Sequence, residues 1–515
     1  MPRNVHVAII DDGVSEKELG ARLLYDVEIN TQNSAQKRES QGEGISHGTL
    51  CAAIILQYNN HAKISSVKVL NENLKGHASR LYVALKWCLD HEVDVASISL
   101  GSTLLREKSQ MQKVINHVVQ DGLIVVCASH NDGYITYPAS FSNVLSVRCD
   151  HGNSLSRGEY VLNPHLVDGI DCTAFARHEL NFVMSGAITC SNSNSYAAPM
   201  ITAHVSRILE NITSPSIDMV KGELMKYAKN KSTVQSMTPS NENPDWITGA
   251  IIFTARKKFL SKAAYYFLCV KETTVSNHTN VIKQIEKQLQ ASKKGWNTII
   301  IDDLRLDEEI MHQLNRLAAL FHKSLVYIGE SQVELPSSPQ DKPLKIWHWS
   351  YKRQIIERAH YTRSPIDAPT VFIFIPDDLD LLYILHVVKL NFMEDGYNCI
   401  AITEQPEAVL YNLEYLPHWC MKIRPIETTS YLRSYIKKSN ADICIGAFRW
   451  GCQKEIREIG GMLEQDMVID VLNKNGAVEI TVHIAGQAST APLISKRTDD
   501  SVAKTIVQYL KAALV

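Results

Sequence analysis

The chain has 515 residues, 45% of them hydrophobic and 21% charged, with a formal net charge of −2. That length implies roughly two to four domains, and the near-neutral balance gives no footing for nucleic acid or an anionic membrane as the main partner. The eleven cysteines form no C-x-x-C pair and no Cys/His cluster at zinc spacing, and Cys51, Cys127, Cys149 and Cys444 fall in apolar segments as buried thiols would.

The N-terminus runs directly into a strand, and no apolar run reaches membrane-spanning length. The expectation is a reduced, cytoplasmic protein with no membrane partner, no secretory signal and no room for an N-terminal pro-segment. Residues 5 to 10, Val-His-Val-Ala-Ile-Ile, are a β-branched run typical of a strand buried on both faces, closed by Asp11-Asp12-Gly13. Residues 15 to 44 read as a helix fragment and a loop. Ser46-His47-Gly48-Thr49 then leads an Ala-rich helix, whose dipole would keep the His47 ring neutral. Strands are expected at Ile64 to Leu70, Val93 to Leu100, Leu123 to Ala128 and Val144 to Val147, with helices at Ser79 to Asp90 and Lys108 to Gln120. Such alternation predicts a parallel, doubly wound sheet.

Ser191-Asn192-Ser193-Asn194-Ser195-Tyr196-Ala197-Ala198-Pro199 opens an apolar run at helical spacing. A serine at such a junction has free backbone N–H groups and a positive helix end beside it, which suit a nucleophile. Taken singly, each of these residues has a plainer reading: Ser195 a helix cap, His47 a structural histidine, Asp11 a turn former. Taken together they run Asp, His, Asn after a strand, then Ser.

In that order they resemble the subtilases, over roughly residues 4 to 228. Ala8 to Gly13 is similar to the catalytic-Asp strand of that family, and His47-Gly48-Thr49 to its histidine motif. Ser99-Leu100-Gly101 resembles the substrate-lining strand end, and Val125 to Gly133 with Tyr137-Pro138-Ala139 the oxyanion segment. Asn194 to Pro199 resembles the nucleophile motif. The resemblance implies acyl transfer by Ser195, with His47 as proton carrier and Asp11 as its orienting carboxylate. It places the Asn131 amide and the Ser195 N–H in the oxyanion hole, and Ser99, Leu100, Gly101, Ala128, Ser129 and His130 along the substrate. Three positions depart from the family: His130 stands where Gly is usual, Asn194 where Thr is usual and Ser193 where Gly is usual. Asp12, next to Asp11, would raise the proton affinity of the pair. No acidic cluster suits calcium, so neither metal nor cofactor is expected.

Ser214 to Ala228 has an N-cap Ser followed by Pro and helical periodicity. Residues 229 to 247 read as a linker, 248 to 366 as an α/β domain or subdomain, and 367 to 515 as a C-terminal α/β domain. Helices are expected at Asn280 to Ala291, Asp307 to Ala319, Asp380 to Asp395, Tyr431 to Ser439, Asp466 to Asn473 and from Asp500. Gly396 is the stop of the third. Pro376-Asp377-Asp378 has the position of a phosphate loop, but it lacks glycines and its acids would repel phosphate. Trp347, His348, Trp349, Tyr351, Lys352 and Arg353 interleave bases with aromatics, which reads as an exposed face or packed linker before a nucleic-acid site.

The combined expectation is an intracellular serine endopeptidase of α/β fold, acting on a peptide or protein and specialised for a precursor (leader) peptide. A general turnover peptidase, a silent peptide-binding module and a homo-oligomer are the open alternatives.

Overall fold

The computed structural model describes all residues except 1–2, 40–44, 72, 164–167, 213–214, 235–242, 256–260, 276–280, 292–294, 303, 305, 329–344, 360–364, 475–476, 485–486, 491–497 and 515. The chain divides into two compact units, residues 1–239 and 240–515.

In the first unit, β1 (His6–Asp11) is buried from Val7 onward. A short helix α1 (Glu16–Leu19), β2 (Leu23–Ile29) and β3 (Ala35–Lys37) follow, where a helix fragment and a loop were expected. β2 is only partly buried along its length and so lacks the apolar signature of a central strand. α2 (His47–Tyr58) starts at Ser46, whose hydroxyl accepts from the Thr49 amide. Then come β4 (Lys63–Lys68), α3 (Ala78–Asp90), β5 (Val95–Ile98), α4 (Leu105–Gln120), β6 (Ile124–Ala128) and β7 (Leu145–Cys149). The short strands β8 (Tyr160–Leu162) and β9 (Cys172–Ala174), and the antiparallel hairpin of β10 (Glu179–Phe182) with β11 (Gly186–Thr189), were not anticipated. α5 (Asn194–Leu209), α6 (Ile217–Tyr227) and α7 (Lys231–Val234) complete the unit. α6 is capped by Ser216, which accepts from the Met219 amide; the expected cap, Ser214, lies outside the described residues.

The strand order is β3-β2-β4-β1-β5-β6-β7-β9-β8, parallel from β2 to β9 and antiparallel only at the two edges. The chain leaves β1 for strands on one side and later crosses to β5 on the other. The C-terminal end of β1 is therefore a switch point, where α/β sheets leave a crevice between diverging connections. Small residues bring the flanking helices close: Ala52 of α2 and Ala197 and Ala198 of α5 share one core with Ile9, Val126 and Val147.

The second unit holds two sheets. In the five-stranded parallel sheet, Leu268–Thr274 lies outside Gly249–Thr254, and Thr298–Asp302, Ser324–Ile328 and Ile346–His348 continue on its other side. The seven-stranded sheet runs Glu414–Tyr415, Cys399–Thr403, Ile443–Arg449, Thr370–Ile375, Met467–Lys474, Ala477–Ile484, Gln487–Thr490. Met467–Lys474 corrects the helix expected over 466–473. Its β-branched run is buried on both faces and pairs antiparallel with Ala477–Ile484. The helix Gln453–Leu463 was not anticipated either. The aromatic-basic stretch is no exposed face: Trp347, Tyr351 and Lys352 are buried. Val326 and Trp347 share a core with Val371 and Ile373 of the larger sheet.

Candidate active site

Asp11 is the last residue of β1 and is 1% exposed. One carboxylate oxygen lies 2.8 Å from His47 Nδ1, and the other accepts from the Asp12 amide at 2.8 Å. His47 is the first residue of α2, and this placement depends on the neighbouring Asp12. Its two oxygens accept from the His47 amide at 3.0 Å and the Gly48 amide at 2.8 Å, satisfying donors that a helix start leaves open. Gly48 is required here, because a Cβ on it would come within 2.6 Å of the Gly13 carbonyl. Asp12 thus fastens the helix start to the strand end.

Ser195 is the second residue of α5, and the cap of that helix is Ser193. The Ser195 amide makes only a long contact, 3.4 Å, with the Ser193 hydroxyl. Pro199 has no N–H to give the carbonyl one turn before it, that of Ser195. Ser99 Oγ at 3.4 Å and Cys51 Sγ at 3.6 Å donate to that carbonyl instead. Cys51 Sγ is also 3.9 Å from both His47 Nδ1 and Asp11 Oδ2. The Tyr196 ring lies 5.2 Å from the His47 ring. One residue, Cys51, therefore touches the strand-end acid, the helix-first histidine and the serine turn.

Asn131 lies in the turn after β6, with its carboxamide oxygen accepting from the Asn194 amide at 3.0 Å and the Ser193 hydroxyl at 3.3 Å. Ser99 to Gly101 and Ala128 to His130 leave the C-terminal ends of the adjacent parallel strands β5 and β6. The next residue, Ser102, exchanges two backbone hydrogen bonds with Tyr137, at 2.9 and 2.8 Å. The His130 ring stands 5.2 Å from that of Tyr134, and its Nδ1 accepts from the Asp132 amide at 3.1 Å.

Burial works against charging His47, but the hydrogen-bonded Asp11 carboxylate outweighs it, and the ring's pKa lies above the ordinary value of 6.5. Burial also pushes the Cys51 thiol up, leaving it uncharged at neutral pH, so Asp11 is the physical cause of the raise. The sequence expectation of a ring kept neutral by the helix dipole is corrected: a carboxylate at hydrogen-bond distance outweighs a helix end. Burial first, then the Asp11 charge, raises the Asp12 carboxyl against its two amide bonds. Donor atoms of Asp11, His47 and Cys51 lie within 4.8 Å of one another, the one such grouping among the described residues; the Asp11–His47 bond already occupies two of them.

Sequence reasoning passed over His178. Its Nε2 donates to the Tyr196 carbonyl at 3.0 Å while Nδ1 accepts from the Tyr58 hydroxyl, 3.2 Å away. Burial pushes its pKa down to about 4, so it braces the serine turn as a neutral ring. Fifteen residues, 179–193, which carry the unanticipated β10–β11 hairpin, separate it from α5, and no motif at His178 flagged it. Cys51 was visible only as a buried thiol.

A strand-end carboxylate bonded to a helix-first histidine, and a helix-start serine whose carbonyl is linked to both through Cys51, bring the residue types of a Ser–His–Asp arrangement together on a doubly wound α/β scaffold. The profile of the subtilase family matches residues 2–243, and this part of the chain belongs to that family. The minor extracellular protease Epr of Bacillus subtilis (strain 168) is 29% identical over 158 residues, 28% of this chain and 23% of Epr. The alkaline protease of Alkalihalobacillus alcalophilus is 26% identical over 253 residues, 46% of this chain and 60% of that protein. The chain thus spans less than two thirds of either relative. A solved lanthipeptide protease aligns with 46% of this chain and 82% of its own, at 20% identity and a TM-score of 0.37. No helix among the described residues is long and apolar enough to cross a membrane.

Proposed function

We propose that the chain is a serine endopeptidase, with Asp11, His47 and Ser195 as its catalytic residues. The observation that carries this reading is the 2.8 Å Asp11–His47 bond, beside a serine turn joined to it through Cys51. Ser195 Oγ attacks a peptide carbonyl and His47 takes the proton. The tetrahedral oxyanion is met by the Asn131 amide and the Ser195 N–H, whose long contact to Ser193 is easily given up. His47, held in tautomer and charge by Asp11, returns the proton to the leaving amine, and water then hydrolyses the acyl-enzyme. Ser99 to Gly101 and Ala128 to His130 flank the substrate.

His130, where a glycine is usual, would narrow or polarise the first specificity pocket. That favours a selective peptidase, and we take a precursor peptide cut during maturation in the cytoplasm as its substrate. In this reading residues 1–228 are the peptidase domain, and the connection 229–247 begins packed on it, through Lys229, Asn230 and α7, and ends with Trp246 and Ile247 buried in the second unit. Residues 248–366 and 367–515 form an appended recognition region.

A fluorophosphonate should label the wild-type chain and leave Ser195→Ala unlabelled; an unlabelled wild type would sink the enzyme reading in favour of a silent peptide-binding module. Mass spectrometry of a precursor peptide encoded beside the gene, incubated with the protein, should show one cleavage. Unselective digestion of casein would instead support general protein turnover. Deleting residues 248–515 should lower kcat/KM on a long substrate more than on a short one, and equal values would remove the recognition role.

A further inference from the structure

We propose that Asn194 is a positioning residue that sets the orientation of the Asn131 carboxamide. The proposal rests on the peptidase reading above, in which Asn131 is an oxyanion donor. Asn194 is 2% exposed, and each polar atom of its side chain is used. Its Oδ1 accepts from the Cys149 amide at 2.8 Å, at the end of β7. Its Nδ2 donates to the His130 carbonyl at 2.9 Å, the Ser129 hydroxyl at 3.0 Å and the Ser129 carbonyl at 3.1 Å. The side chain therefore fixes residue 194 to the two residues that immediately precede Asn131.

From that anchored position, the Asn194 main-chain N–H reaches Asn131 Oδ1 at 3.0 Å, and Ser193 Oγ adds a second bond to the same oxygen at 3.3 Å. An amide group has one acceptor end and one donor end. With the oxygen bound to donors on α5, the Asn131 NH2 is turned outward. A flip would set NH2 against the Asn194 N–H, donor against donor. Both partners of the Asn131–Asn194 bond hang from the same short segment, 129–131, so the donor is fixed before any oxyanion forms. Threonine, usual at this position, has a single hydroxyl. It cannot donate to two carbonyls and also accept from the Cys149 amide.

The test is a double-mutant cycle read by the rate of fluorophosphonate acylation, with Ser195→Ala as the control that judges the peptidase reading separately. Asn194→Thr should slow acylation by about tenfold at unchanged half-saturation, less than the roughly hundredfold that a 1 Å misplacement can cost. In an Asn131→Ala background the same substitution should cause no further slowing, because the group it orients is gone. Ser193→Ala, which removes one of the two bonds to Asn131 Oδ1 but also the cap contact to the Ser195 amide, should slow acylation less and keep only the share due to that cap in the Asn131→Ala background. Should Asn194→Thr fold poorly, the smaller Asn194→Ser, which likewise has a single hydroxyl and brings no charge into the buried site, takes its place in the cycle. Equal slowing in both backgrounds, or none in the wild-type background, would overturn the proposal while leaving Ser195 labelling intact.

Discussion

Both units end buried parallel strands in an aspartate, and the two residues do different work. Asp11 presents its carboxylate to a ring that remains 18% exposed. Asp302 is fully buried and accepts from the Thr254 hydroxyl at 2.6 Å, tying two neighbouring strands together. The difference lies in what arrives from outside the sheet. In the first unit the switch point receives α2, whose first residue is histidine and whose amides are already satisfied by Asp12 and Ser46. In the second unit two helix-start carboxylates are spent on capping: Asp307 accepts from the Ile310 amide, and Asp380 from the Tyr383 amide as well as Ser261 and Lys262. A strand-end acid becomes available for chemistry when a second residue has relieved it of capping.

The sharpest way to break this contrast is Asp11→Asn, which should cost about 10⁴ in kcat, as loss of the orienting carboxylate does in serine proteases generally. It should also change the pH profile. The base must be neutral, so the acid limb of kcat/KM should lie above 6.5 in the wild type and move down in Asp11→Asn. Stability follows the opposite limb. The Asp11–His47 pair stabilises fully below the unfolded imidazole value and less as pH rises through the raised folded one, so denaturant midpoints of the wild type should fall across that window. In the second unit, Lys352 and Glu414 form a buried pair that Tyr431 joins. Lys352→Met should destabilise that unit by about 3–5 kcal/mol by stranding Glu414, with kcat on a short peptide unchanged. Asp307→Ala should cost only about 1 kcal/mol as a lost helix cap, again with no kinetic effect.

The site residues were legible because their motifs sit at element boundaries that hydrophobic runs mark clearly: β1 stops at Asp11, and α2 and α5 open on polar residues before Ala-rich faces. The partners were not. Asp12 and Ser99 were named for other roles, Cys51 only as a buried thiol and His178 not at all; their contacts join distant segments, and no spacing in the chain signals that Pro199 frees the Ser195 carbonyl for Ser99 and Cys51. Residues 23–29 escaped because β2 is half exposed, and 466–473 was misassigned because an apolar run of that length fits a helix or a strand equally. Pairing with Ala477–Ile484 decides it, and pairing is not local.

All eleven cysteines are free, and all but Cys269 are buried. Burial pushes the thiols of Cys88, Cys127 and Cys444 well up, so they are protonated as well as shielded. The folded chain should therefore be nearly silent to alkylating reagents, and each thiol that reacts reports the opening of the segment around it. Cys88 and Cys127 belong to the first unit and Cys399 and Cys444 to the second, so mapping alkylated peptides against time would clock the unfolding of each unit separately, with no label added.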